Sequence, residues 1–146
     1  MVEGRPRGAE GLVAAPGRQG PVIHLDTSFL VRALVPASAA DRRLRTWLRE
    51  GETLAMSTVA WAEFLCGPLD PAALDLVAQV VSERLPFVED DSALAARLFN
   101  ESGRRRGSLA DCMIAAVAIR ARAPLATENA GDFRRFEGAG LVLASA

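Results

Sequence analysis

The chain has 146 residues, half of them hydrophobic, with 18 acidic residues, 17 basic residues and a formal net charge of −1. That length suits one domain with enough apolar content for a core, and the charge balance excludes a generic polyanion binder, though not a local basic patch. The longest unbroken apolar run, Cys112 to Ile119, is far too short for a membrane span. Every basic residue is arginine and none is lysine, which reads as genomic base composition. Cys66 and Cys112 form no C-x-x-C pair and fall in apolar helical patterns, so buried free thiols in a reducing compartment are expected.

Residues 1–20 carry Glu3, Glu10, three arginines and several glycines and prolines. They lack the continuous apolar core of a secretory signal. A flexible N-terminal extension is expected there, followed by a folded domain over 21–146, and the protein is expected in the cytoplasm.

From Pro21 the elements follow in order. Val22–Leu25 is a short apolar run that reads as a buried strand. A helix over about Thr27–Leu34 ends at Pro36. Ser38 caps a helix over Ala39–Glu50, in which Leu44, Trp47 and Leu48 share one face. Thr53–Ser57 is a second strand. Thr58 caps a helix over Val59–Cys66, closed by Gly67-Pro68. Pro71 opens a helix to about Ser82. Phe87–Val88 is a brief strand, and Asp90 or Asp91 caps a helix ending at Gly103. Ser108 caps the most apolar helix, about Leu109–Arg122, which Pro124 ends. Leu125–Ala126 is a strand, 129–133 a helical turn, and Leu141–Leu143 a last strand. Short apolar strands alternating with helices predict a parallel sheet covered by helices on both faces, a three-layer α/β/α sandwich.

In such a sheet, strand C-termini and helix starts share one edge, where ligands bind. Asp26 follows the first strand, Asp111 lies in the first turn of the apolar helix, and Asp132 follows the strand at Leu125–Ala126. Glu63 lies one turn deeper, in Ala60-Trp61-Ala62-Glu63-Phe64-Leu65-Cys66, with a longer side chain. Apolar neighbours make an unpartnered acid at that position costly to bury. Four crowded carboxylates repel one another unless protonated, and a hard divalent cation resolves the conflict. Mg²⁺ takes oxygen ligands and retains waters, and one or two such ions activate water at a phosphodiester. His24 is the only histidine, so no nucleophile–base alternative stands out.

Three of the acids also have a plainer explanation, and Glu63 is the hardest to dismiss. Ser108-Leu109-Ala110-Asp111 matches a capping box, and Asn129-Ala130-Gly131-Asp132 is a looser version of one. Acids near helix N-termini oppose the helix dipole favourably, which covers Asp26 as well. His24 reads as a packed strand residue. Arg104-Arg105-Arg106 reads as a solvated loop that can also touch RNA phosphate.

Taken together, the motifs resemble the PIN domain family, and within it the VapC-type ribonuclease toxins of toxin–antitoxin systems. Leu25-Asp26-Thr27-Ser28 looks like the family's opening motif. Ser57-Thr58-Val59-Ala60-Trp61-Ala62-Glu63-Phe64-Leu65-Cys66-Gly67 resembles the second. Asp111-Cys112-Met113-Ile114-Ala115-Ala116-Val117-Ala118 resembles the third, with Cys112 where a small residue is more usual. Thr127-Glu128-Asn129-Ala130-Gly131-Asp132-Phe133 resembles the fourth. The resemblance spans residues 22 to about 143.

It implies a sheet of about five parallel strands and a Mg²⁺- or Mn²⁺-dependent endoribonuclease. It further implies a VapB-type antitoxin that occludes the site, often with an arginine among the acids, and a homodimer. On that basis Asp26, Glu63, Asp111 and Asp132 are the expected catalytic metal ligands, acting on RNA through metal-activated water. Thr27, Ser28, Thr127 and Asn129 are expected to orient them. Two other functions remain open on sequence. One is an aspartate phosphatase using Asp26 as nucleophile, which Ser28 disfavours because a second acid belongs there. The other is a non-catalytic interaction module on the same fold.

Overall fold

The structure is a computed structural model that describes residues 21–145, so the extension expected at 1–20 lies outside the described residues. Strand β1 (Val22–Leu25) leads into helix α1 (Thr27–Ala33) and then α2 (Ala39–Arg49). Strand β2 (Thr53–Ser57) leads into α3 (Thr58–Leu65), α4 (Pro71–Val80) and strand β3 (Glu83–Leu85). Helices α5 (Glu89–Glu101) and α6 (Leu109–Ala121) precede strand β4 (Leu125–Ala126), the short helix α7 (Ala130–Phe133) and a 3₁₀ segment (Arg134–Ala139).

The four strands are parallel, in the order β3-β2-β1-β4. Val22 to His24 pair with Thr53 to Ala55, and His24 and Leu25 pair with Leu125 and Ala126. Successive strand residues point to opposite faces, yet β1 is buried from Ile23 to Leu25 and β2 from Leu54 to Ser57. Both faces are therefore covered, as the three-layer expectation requires. The fifth strand is a correction. Leu141–Leu143 contributes a single parallel bridge, Leu125 to Leu143, beside β4. Two backbone bonds complete it, from Leu125 N to Val142 O and from Ala144 N to Leu125 O. β4 is only two residues long, so it offers no ladder for a longer partner.

The third strand also lies elsewhere than Phe87–Val88. Glu83–Leu85 pairs with Ala55, Met56 and Ser57 at the sheet edge. An edge strand has one ladder and tolerates polar residues, so its sequence carried no apolar run. Phe87 instead donates its N–H to Thr58 Oγ1 at 3.2 Å.

Helix α6 is buried nearly all round, at Cys112 and from Ile114 to Ala118. A helix apolar on every face belongs inside, and its alanines permit close approach to neighbours. Phe29 of α1, Phe64 of α3, Phe133 and Phe136 are each at most 1% exposed. Burial of such a side chain stabilises by roughly 1.5–3 kcal/mol each.

Several capping details differ from expectation. Ser57, not Thr58, caps α3, accepting from Ala60 N. Val88 occupies the cap position of α5, and buried Asp91 reaches back to Val88 N at 2.9 Å while also holding Arg120 at 2.8 Å. Helix α4 stops at Val80, two residues early, and Val81 is buried beyond it. Ser38 caps α2 as expected. Cys112 is buried, but Cys66 is exposed, because it sits at the solvent-facing end of α3. Among the described residues no helix is long and apolar enough to cross a membrane.

Candidate active site

Because the strands are parallel, Asp26, the start of α3 and Thr127 all fall at the carboxyl edge of the sheet. Asp26 is 4% exposed and caps α1 with an extended backbone, φ −90° and ψ 168°. Its Oδ1 accepts the Phe29 N–H at 3.1 Å and the Ser28 hydroxyl at 2.6 Å. Its Oδ2 accepts the Thr127 hydroxyl at 2.6 Å. The two hydroxyl oxygens lie 3.3 Å apart, but each has one proton and both protons are committed to Asp26. Their oxygens in turn accept backbone N–H groups, Glu128 N to Ser28 at 3.1 Å and Asn129 N to Thr127 at 2.9 Å. The loop after β4 is thereby tied to the start of α1. A carboxylate offers about four acceptor positions, so Asp26 retains capacity for a further partner.

Thr27 performs a similar service for α3. Its hydroxyl lies 2.8 Å from Ala60 O and 3.3 Å from Glu63 Oε1. Glu63 is exposed, contrary to the expectation that its apolar neighbours would bury it. Partial loss of solvent and then the Asp26 charge push its pKa up, against the Thr27 hydrogen bond. The Asp111 carboxyl is also pushed up, first by burial, then by Asp26 and Glu63 and more weakly by Asp132, with Arg135 opposing. These acids sense one another, which is the electrostatic conflict the sequence implied.

The capping-box explanation of Asp111 fails on geometry, although Asp111 does lie in the first turn of α6, where the helix dipole favours an acid. Ser108 sits before α6 but its hydroxyl donates to Arg105 O at 2.7 Å, so no capping box forms. Asn129 likewise makes no side-chain cap for α7.

A cavity of about 290 Å³ is lined by Asp26, Thr27, Ser28, Glu63, Asp111, Ile114 and Asn129. Asp26 between β1 and α1, Glu63 from α3 and Asp111 from α6 thus share one space. Asp132 does not line it. It is exposed, and its Oδ1 lies 3.9 Å from Arg105 Nη2. Of the three loop arginines, Arg105 reaches an acid, while Arg104 and Arg106 are exposed beside it. Sequence reasoning missed Arg135 and Ile114. Ile114 lies one turn after Asp111, a spacing that could have found it.

The donor set fits a hard divalent cation: every polar side chain on the cavity offers oxygen or the Asn129 amide, and two carboxyls have raised pKas. Among the described residues no group of three or more His, Cys, Asp or Glu is already arranged to enclose an ion. Mg²⁺ and Mn²⁺ sites with one or two direct carboxylates fill the rest with water.

A parallel three-layer α/β protein with an acidic cavity at the carboxyl edge of its sheet is the class that fold and site define. Within it, the chain belongs to the PIN domain family, whose model matches residues 23–139. No functionally curated protein matches the chain significantly. Among solved structures it is similar to VapBC2 from Rickettsia felis bound to a promoter DNA fragment (23% identity, 84% of this chain and 97% of the other, TM-score 0.68). It is also similar to VapBC-1 from nontypeable Haemophilus influenzae (20% identity, 85% and 97%, TM-score 0.65). A third similar structure is Mycobacterium tuberculosis VapC20, described as a sarcin-ricin loop cleaving toxin (20% identity, 85% and 99%, TM-score 0.60). Such likenesses establish the fold.

Proposed function

We propose that this protein is a metal-dependent endoribonuclease, the toxin of a VapBC-type toxin–antitoxin system acting in the cytoplasm. The observation that carries the proposal is the convergence of Asp26, Glu63 and Asp111, from three separate elements, on one cavity. A family relative described as a cleaving toxin supports the reaction class. Relatives solved as VapBC assemblies support a VapB-type antitoxin partner. A homodimer is part of the same proposal.

Asp26, Glu63 and Asp111 would hold Mg²⁺ or Mn²⁺, and Asp132 would complete the set from the rim. Bound there, the cation supplies water activation and charge stabilisation at the phosphodiester. The chain's own residues do the positioning. Ser28 and Thr127 fix both oxygens of Asp26, so that carboxylate cannot swing. Thr27 holds Glu63 toward the cavity.

The three hydrogen bonds on Asp26 count against the phosphatase alternative. They draw electron density from both oxygens and leave the carboxylate a poor nucleophile. Grouping of the acids on one cavity counts against a purely non-catalytic module.

The test is cleavage of RNA with Mg²⁺, with an EDTA control, comparing wild type with Asp26→Ala and Asp111→Asn. Loss of cleavage in both is expected. Full activity in either variant would sink the assignment.

A further inference from the structure

A second cavity, of about 440 Å³, opens between the C-terminal end of α5 and the 3₁₀ segment. Leu98 and the buried ring of Phe136 contribute its apolar wall, and Arg97, Ser102 and Arg135 its donors. Arg135 is the unusual member. Its guanidinium lies over the Phe136 ring at 4.6 Å, and its Nε and Nη1 are buried without a hydrogen-bond partner among the described residues. A buried cationic donor left without an acceptor is costly, and these two nitrogens find none among the described residues.

The first turn of α6 separates this cavity from the acids. Asp111 lines the acidic cavity, while Ser102, at the end of α5, lines the second. The loop bearing Arg104, Arg105 and Arg106 joins α5 to α6 at the same rim, with Arg105 facing Asp132. Cationic groups thus continue from the acidic site to the second cavity.

We propose that this second cavity binds a backbone phosphate of the RNA strand, next to the one cleaved, through the guanidinium groups of Arg135 and Arg97. The proposal rests on the ribonuclease reading. A planar guanidinium with donors on its edge matches phosphate oxygens. Arg97 is held by Glu101 only at 3.8 Å, with both side chains more than half exposed, and such a pair exchanges partners readily. Glu101 lines the cavity too, as the one carboxylate on its wall among the described residues. Gly138 also lines the cavity, and a Cβ built there meets nothing within 4 Å, so a side chain can be added without a clash.

Full-length protein in EDTA is titrated with fluorescein-labelled single-stranded RNA and followed by anisotropy across about 50–200 mM salt. Arg97→Gln, Arg135→Gln and Gly138→Glu are each expected to weaken binding about three- to tenfold. Loss of one phosphate contact lowers the salt slope by about 0.7. Arg49→Gln, on exposed α2, is the control expected to match wild type. Gly138→Glu keeps the test sound if Arg135→Gln disturbs folding. In parallel, inorganic phosphate is expected to shift the Arg135 Nε–H resonance. Wild-type RNA affinity and salt slope in Arg97→Gln and Gly138→Glu overturn the cavity assignment and leave the ribonuclease reading standing. A phosphate-responsive Arg135 in a protein that neither binds nor cleaves RNA overturns both. An acidic antitoxin segment that competes with phosphate here while RNA does not also overturns the proposal.

Discussion

Thr127→Val isolates the part of the site that orients a carboxylate without being one. The two side chains have nearly the same shape, so packing changes little. Two bonds disappear: the 2.6 Å donation to Asp26 Oδ2 and the 2.9 Å acceptance from Asn129 N. The first is charge-assisted and short, on a carboxylate that is 4% exposed. A hydrogen bond to a charged group contributes about 1.5–3 kcal/mol. Removal of such a partner from a metal-binding carboxylate weakens metal affinity by about 10- to 100-fold. At about 1.4 kcal/mol per decade, that loss is roughly 1.4–2.8 kcal/mol, so the two estimates agree.

Calorimetric titration with Mn²⁺ measures this without any RNA. Thr127→Val is expected to weaken Mn²⁺ binding by one to two decades. Thr127→Ser, which keeps the hydroxyl, is expected to stay near wild type. The Ser28 bond to Oδ1 persists in both, so the carboxylate loses one of its two hydroxyl partners and not its cap. Mn²⁺ affinity within about twofold of wild type in Thr127→Val, with the fold intact by circular dichroism, would refute Thr127 as an orienting group.

Two further outcomes follow from the charges. In EDTA at neutral pH, Asp111→Asn is expected to raise the melting temperature, because it removes a partly buried charge that Asp26 and Glu63 repel. The sign follows from its raised pKa: the folded state holds that proton more tightly, so stability falls as pH rises through the folded pKa. Excess Mg²⁺ is expected to reverse the order, and a variant that melts lower than wild type in EDTA contradicts the electrostatic account. His24 titrates in the opposite sense. Burial and then Arg120 lower its pKa from 6.5 to about 4, and its Nε2 has no hydrogen-bond partner among the described residues. Its contribution is full above the unfolded pKa and is lost as pH falls from about 6.5 through about 4, by about 3 kcal/mol in all. Urea unfolding of His24→Leu is expected to show a flatter pH dependence than wild type across that window, and parallel curves would refute it.

The legible parts of this chain were those written in local pattern. The strand, Asp26 and α1 could be read because a short apolar run ends in an acid that also caps. The edge strand β3 could not, since Glu83-Arg84-Leu85 has no apolar signature and is a strand only because β2 lies beside it. Glu63 was found for a reason that does not hold. Its apolar neighbours suggested a buried acid, yet it is exposed and reaches the cavity alongside Thr27. Asp111 was legible as either cap or ligand. Only coordinates could choose, because the choice turns on a Ser108 hydroxyl bonded to Arg105 O. Asp132 was grouped with the other acids by its place after β4 as well as by motif, and the structure places it off the cavity beside Arg105. Arg135 was invisible, being the second of two adjacent arginines with no spacing that marks a partner.

Asp26 shows why such a site resists tidy dissection. One oxygen of its carboxylate caps α1 through Phe29 N–H, and the other receives a hydroxyl from a residue about a hundred positions away in sequence. Pairing of β1 with β4 brings that hydroxyl within reach, so sheet register and site geometry are a single constraint. Substitution of Asp26 by alanine therefore removes a helix cap, typically about 1 kcal/mol, and leaves two part-buried hydroxyls without their acceptor. Inactivity in that variant mixes lost stability with lost chemistry. Asp111 carries no cap and engages no hydroxyl in this way, and asparagine preserves its shape. The Asp111→Asn result therefore bears on the chemistry more directly than any result at Asp26.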